Sequence, residues 1–250
     1  MLFTSYGFIA FLIVLFALYY LIPRKWQWLL LLVADIVFYA CAGWQGLVFM
    51  AATVTVSWAA TNLMGCSLRR QKAYLASDEG KALSRPERKE YKKLEEKKRK
   101  HVFVLALLID LGILAALKYT NFVIFNFNSL FSADVAAVDW VLPLGISFYT
   151  FQTVSYVIDV YWEKVEPERN ILKVALFTSF FPLLIQGPIS RFGDLKDTLF
   201  AEHKADLKQI SFGLQRILWG YFKKLVIADR LLVAVTALCG DPTAYSGAYV

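Results

Sequence analysis

The stretch Leu142–Trp162, LPLGISFYTFQTVSYVIDVYW, combines two properties that few folds can reconcile. A helix of about 20 residues, rising about 1.5 Å each, covers the roughly 30 Å hydrocarbon core of a bilayer. The stretch is long enough for that, yet it carries Ser147, Tyr149, Thr150, Gln152, Thr153, Ser155, Tyr156 and Asp159. A Gln amide and an Asp carboxylate have no place against lipid; at membrane depth they face protein or a wet cavity. Tyr149, Gln152, Tyr156 and Asp159 recur at i, i+3, i+7 and i+10, one face of a helix. The stretch reads as a helix that lines something inside a membrane protein.

The rest of the chain agrees about the solvent. Of its 250 residues, 58% are hydrophobic, well above the 45–50% usual for soluble domains. Residues 69–101 hold 13 Lys+Arg against 6 Asp+Glu, which accounts for the whole net charge of +7. The basic balance therefore describes topology. No nucleic-acid-binding motif or dispersed basic surface is present, so nucleic acid is not an expected partner.

Apolar runs predict spans at 2–22, 26–42, 46–63, 102–117 and 142–162. The first lacks a basic region before it and a small-residue cleavage site after it, so it reads as a retained helix. Residues 69–101 read as a basic cytoplasmic loop. Within it, Ser84-Arg85-Pro86-Glu87 has the form of a capping box, predicting a helix that starts near Arg85 and runs into the fourth span. Glu95–Arg99 and Glu96–Lys100 are spaced as i,i+4 pairs. That basic helix is either a solvated hairpin, the plainer reading, or a site for anionic lipid heads. The positive-inside rule places 69–101 in the cytoplasm and the N-terminus outside.

The run 171–189 is interrupted by Pro182, Gly187 and Pro188 and has basic residues on both flanks. A re-entrant segment keeps both flanks inside, and this reading is preferred to a full crossing. Residues 211–238 form an amphipathic helix on which Arg216, Lys223 and Arg230 recur every seven residues. It reads as an interfacial helix, or alternatively as a basic wall for a phosphate-bearing donor. Asp35 and Asp110 lie midway along two spans, either in a proton path or buried and hydrogen-bonded. The three cysteines show no metal-ligand spacing, and no metal site is expected. The fold class is all-α: a polytopic integral membrane protein, a multi-helix bundle with a re-entrant segment.

Three blocks carry a resemblance: LPLGISFYTFQTVSYVIDVYW, FPLLIQGPISRF at 181–192, and GLQRILWGYFKKLVIADRL at 213–231. In that order they resemble the membrane-bound O-acyltransferase (MBOAT) family, in the branch of bacterial alginate O-acetyltransferases and the D-alanine transfer protein of teichoic acid synthesis. The resemblance covers essentially the whole chain and implies the front half of such an enzyme, a partial MBOAT fold. The family's key histidine, usually within a Trp-His pair, is then expected beyond Val250. The histidines present, His101 and His203, lie outside the matching blocks, so no catalytic residue is assigned here.

The resemblance further implies a multi-pass protein of the bacterial inner membrane. It would move an acyl group, acetyl above all, to hydroxyls of an extracytoplasmic polysaccharide such as alginate. The donor would be a cytoplasmic thioester, acetyl-CoA or an acyl carrier protein; no cofactor is held permanently. The partners implied are the lipid bilayer, the donor, the polysaccharide and the proteins of its modification complex. Candidates for lining the substrate tunnel are Tyr149, Gln152, Tyr156, Asp159, Gln186 and Arg191, with Lys223 to attract the donor. Hydrogen bonding between helices of the bundle is the competing role for each. A transporter or flippase, and a non-catalytic membrane subunit, are the competing readings of the whole chain.

Overall fold

Ser84 sets the start of the longest element. Its backbone N–H and hydroxyl both donate to the Glu87 carboxylate, closing the capping box, and Pro86 occupies the first turn. Helix α5 then runs unbroken over Arg85–Phe131, 47 residues or about 70 Å. The computed structural model describes residues 5–139, 142–184 and 187–240, without the side chains of residues 238 and 240, and contains no strand among them. Before α5 come α1 (Tyr6–Leu21), a 3₁₀ turn (Arg24–Trp26), α2 (Gln27–Gly43), α3 (Gln45–Ala76) and α4 (Asp78–Ala82). After it come α6 (Ile146–Tyr161), α7 (Ile171–Ser179), α8 (Phe181–Leu184), α9 (Phe192–Leu199), α10 (Leu207–Phe222) and α11 (Asp229–Gly240).

The chain is an all-α, multi-pass membrane protein. Among the described residues three helical stretches are long and apolar enough to cross a bilayer: Arg24–Gly43, Gln45–Ala76 and Arg85–Phe131. The runs 46–63 and 102–117 are thus parts of much longer helices. Residues 69–101 are not a loop: only Ser77, Leu83 and Ser84 lie outside helices. Helices α1 and α6 have 16 residues each, about 24 Å, less than the roughly 30 Å core. Helix α6 starts later than its apolar run because Gly145 takes a left-handed φ of +67° just before Ile146.

Two compact units can be distinguished. One comprises Leu21–Glu202; the other contains most of α1 together with the chain from His203 onward. In the larger unit α3, α5 and α6 pack mutually, and α2 packs on α3 and α7. Their shared core holds Tyr39, Met64, Leu114, Tyr149, Tyr156, Val157 and Phe177, all buried. Lipid tails are as apolar as a leucine side chain, so close packing and hydrogen bonds hold such a bundle together. Gly65 illustrates the closeness: a Cβ there would lie 2.4 Å from the Pro167 ring.

Beyond α5 the chain turns back at Ser132, in the left-handed region at φ 50°, and lies along the helix it has just left. Asn121 donates to the Val138 carbonyl at 2.8 Å and accepts from the Val138 N–H at 2.9 Å. Asn128 does the same with Val135, at 2.9 and 3.1 Å. Each amide thereby imitates a neighbouring backbone strand.

In the smaller unit the helix expected over 211–238 is interrupted. Residues Lys223–Ala228 form a π-helical stretch between α10 and α11. A π turn winds more slowly than an α turn, so Lys223 still follows Arg216 at the end of α10 but Arg230, beyond the π stretch, leaves that row. The Lys224–Asp229 ion pair uses the i,i+5 spacing that a π turn favours.

Candidate functional site

The polar face of α6 points inward. Tyr149, Gln152, Tyr156 and Asp159 are all buried. The Gln152 amide donates to the Phe177 carbonyl at 2.9 Å. Phe177 lies in the last turn of α7, where carbonyls lack helical partners. The Tyr156 hydroxyl accepts from the Glu168 N–H at 2.8 Å, and its ring packs on Phe192 with centroids 4.5 Å apart. Asp159 Oδ1 lies 3.5 Å from Arg191 Nη1, and Arg191 is otherwise exposed. Three of the four residues therefore hold the segment that follows α6.

That segment runs out along α6 and back. Its flanks, Glu168 and Arg191, are bound by Tyr156 and Asp159 at the C-terminal end of the helix. Its middle sits at the other end, where a Cβ on Gly145 would lie 2.4 Å from the Leu184 carbonyl oxygen. Gly145 to Asp159 is about 21 Å along the axis.

Asp35 secures the break between α7 and α8. Phe180, at φ −52° and ψ 101°, leaves the helical region and frees the groups on either side of it. Asp35 Oδ2 accepts from the Ser179 hydroxyl at 3.2 Å, and Oδ1 accepts from the Phe181 N–H at 2.9 Å. Pro182, in the first turn of α8, has no N–H to leave unpaired. The connector before α7 is clamped just as firmly by one face of α3. The Trp58 indole donates to the Arg169 carbonyl at 3.0 Å and the Asn62 amide to Glu168 at 2.9 Å. Lys72 pairs with Glu163 at 3.1 Å. Sequence reasoning missed these clamps, although Trp58, Asn62 and Gly65 at i, i+4 and i+7 mark that face.

Asp110 stands in different company. Its Oδ2 accepts from the Ser57 hydroxyl at 2.7 Å. Among the described residues its Oδ1, the Tyr149 hydroxyl and the Thr150 hydroxyl are buried without a hydrogen-bond partner. Tyr149 is close enough to both Asp110 and Tyr39 to interact with them electrostatically. The Tyr39 hydroxyl itself donates to the Leu144 carbonyl.

The remaining candidates lie apart from this cluster. Gln186 is outside the described residues. Lys223 opens the π stretch of the smaller unit, exposed, with Nζ 5.4 Å from the centre of the Trp219 ring. His101 Nδ1 lies 2.7 Å from the Lys97 carbonyl oxygen, and His203 Nδ1 lies 2.9 Å from the Tyr19 hydroxyl. No group of three or more His, Cys, Asp or Glu able to hold a metal occurs among the described residues.

Comparison with known proteins bears on what such a site serves. The chain is 34% identical over 240 residues to a protein of Azotobacter vinelandii named "Probable alginate O-acetylase AlgI", covering 92% of this chain. The chain is homologous to alginate O-acetylases. The protein of the same name in Pseudomonas aeruginosa is 32% identical over 239 residues, again 92% of this chain. A peptidoglycan O-acetyltransferase of Helicobacter pylori is 31% identical over 153 residues, 51% of this chain and 29% of its own length. The similarity extends over only a part of each relative. That part is 42% of the Azotobacter protein and 40% of the Pseudomonas one. No family model matches the chain, and no solved structure matches it either.

Proposed function

We propose that this chain forms part of a membrane O-acyltransferase. It moves an acyl group, acetyl above all, from a thioester donor to hydroxyls of a polysaccharide such as alginate across the membrane. The observation that carries the reading is homology to O-acetylases along 92% of the chain. The basic ends of α3 and α5 face the cytoplasm of a bacterial inner membrane and the N-terminus faces outside, as the positive-inside rule directs. The donor, acetyl-CoA or an acyl carrier protein, approaches from the basic side. The polysaccharide and its modification-complex proteins meet the opposite side.

In the reaction a polysaccharide hydroxyl attacks the thioester carbonyl. A C–O bond forms, the C–S bond breaks, and the hydroxyl proton passes to a base while the thiol leaves. The work of this chain is placement. Tyr149, Gln152, Tyr156, Asp159, Gln186 and Arg191 are assigned to line the passage, Gln152, Tyr156 and Asp159 also hold the segment that follows α6, and Lys223 attracts the donor. Positioning of this kind is worth several powers of ten in rate, and misplacement by about 1 Å can cost about 10²-fold.

The test is O-acetyl content of extracellular polysaccharide from cells carrying the intact gene with Gln152→Ala or Asp159→Ala. Acetylation falls at least tenfold at normal membrane levels of protein. Wild-type acetylation by both variants would remove the lining role. Loss of the gene with no change in acetylation would remove the enzyme reading.

A further inference from the structure

Most buried hydroxyls of the bundle are spoken for. Of the five buried threonines among the described residues, Thr53, Thr61, Thr153 and Thr178 each donate to a carbonyl four residues back on their own helix. That is the usual recourse of a threonine inside a helix. Thr150, only 1% exposed, does not take it. The two buried tyrosines of α6 divide in the same way. The Tyr156 hydroxyl accepts from the Glu168 N–H at 2.8 Å, whereas the Tyr149 hydroxyl has no partner among the described residues. Asp110 Oδ1 is the third such oxygen, so all three lie on α5 and α6, helices packed against each other.

The three oxygens belong to one seam. Phe103 of α5 stacks on Tyr161 of α6 with ring centres 4.3 Å apart, and Lys118 Nζ donates to the Ser147 hydroxyl at 3.2 Å. These two contacts run the helices antiparallel. Asp110, midway between Phe103 and Lys118, falls opposite the middle of the stretch from Ser147 to Tyr161. Tyr149 and Thr150 lie about one turn, roughly 6–8 Å, from that level. Thr150 precedes Tyr161 by a rotation only about 20° beyond three full turns, so it stands on the side of α6 that meets α5. Tyr149, next to it, interacts electrostatically with Asp110.

Water supplies what these groups lack. An interior water makes about three hydrogen bonds to polar groups that have no other partner. Two hydrogen bonds through one water join oxygens about 5.5 Å apart, and a second water extends the reach to a helical turn. The Tyr149 and Thr150 hydroxyls can each donate or accept. Among the described residues Asp110 is in no ion pair, and water serves it in either form, donating to a carboxylate or accepting from a carboxyl. A divalent cation takes about six or more oxygens, beyond the three on offer.

We propose that Asp110, Tyr149 and Thr150 form an interior hydration site in the α5–α6 seam, where one or two ordered waters are held at membrane depth. The test is hydroxyl-radical footprinting of the intact membrane protein in phosphatidylcholine nanodiscs. A brief X-ray pulse splits water into radicals that oxidise the side chains beside it, and mass spectrometry locates the oxidation. Tyr156 is the internal control, since it is as deeply buried as Tyr149 and its hydroxyl is matched by backbone. Tyr149 is oxidised about fivefold faster than Tyr156, because the water lies against it. Thr150→Val keeps the shape of the side chain but removes one anchor; it slows oxidation of Tyr149 about threefold and leaves Tyr156 unchanged. Asp110→Asn keeps a polar anchor and retains the fast rate. Oxidation of Tyr149 as slow as that of Tyr156 overturns the proposal, as does a Tyr149 rate that Thr150→Val does not move. Fast oxidation of both tyrosines overturns it too, since the whole interior would then be wet. So does a Tyr149 rate that changes when choline replaces sodium in the buffer, which would make the occupant a cation.

Discussion

Asp35 and Asp110 both bring a carboxyl group to membrane depth, and they meet the cost of burial in different ways. Both oxygens of Asp35 are hydrogen-bonded, one to each side of the break at Phe180. Asp110 has one oxygen bonded to Ser57 and the other, like the neighbouring Tyr149 hydroxyl, without a partner among the described residues. A buried polar group costs little when satisfied and about 1–3 kcal/mol when not. Asp35 therefore reads as structural: it replaces helix hydrogen bonds that the α7–α8 break forfeits. Asp110 keeps hydrogen-bonding capacity that the helix packing does not consume.

The largest effect expected is from Asp35→Ala. It removes the acceptor of both the Phe181 N–H and the Ser179 hydroxyl in the interior and destabilises the protein by about 3 kcal/mol. Thermal unfolding in detergent micelles measures this, and hydrogen exchange should quicken first at Phe181. Asp110→Asn should move stability by less than about 1 kcal/mol, since the amide oxygen still accepts from Ser57 and the other carboxylate oxygen it replaces has no hydrogen bond to lose among the described residues. If Asp110→Asn proves the more damaging of the two, the contrast between the carboxylates is wrong.

The smallest effect lies outside the membrane and depends on pH. Ser84 holds the Glu87 carboxyl below its unfolded value, so this capping contribution is present above the unfolded carboxylate pKa. It is lost as pH falls through the lower folded value. Exchange of the Ser84 amide should speed up over that acid range, and Glu87→Gln should flatten the dependence.

The two kinds of structure differ in how far sequence reveals them. The polar face of α6 was legible because four residues at helical spacing keep their period whatever they touch. The capping box was legible because all of it lies within four residues. What the α6 residues bond to was not, because the Phe177 carbonyl, the Glu168 N–H and the Arg191 guanidinium lie on the chain that follows, brought back only by the fold. The pairing of Glu95 with Arg99 failed for a related reason: α3 lies alongside, Arg99 goes to Gln71, and Glu95 takes Lys98. The π stretch left no local mark, since six apolar and basic residues suit an α turn equally well. Asn121 and Asn128 did leave one, seven residues apart on one face, but only the returning chain gives it meaning.

That returning chain also measures α5. Asn121 and Asn128 are separated by seven helical residues, about 10.5 Å, while Val135 and Val138 are separated by three extended residues, about 10 Å. Two lattices of unequal pitch coincide at these points, as the divisions of a vernier do. Inserting one residue between the asparagines would turn the second of them about 100° around the helix and about 1.5 Å along it. Both clamps could not then close at once, so the spacing of two amides fixes where the strand lies on the rod.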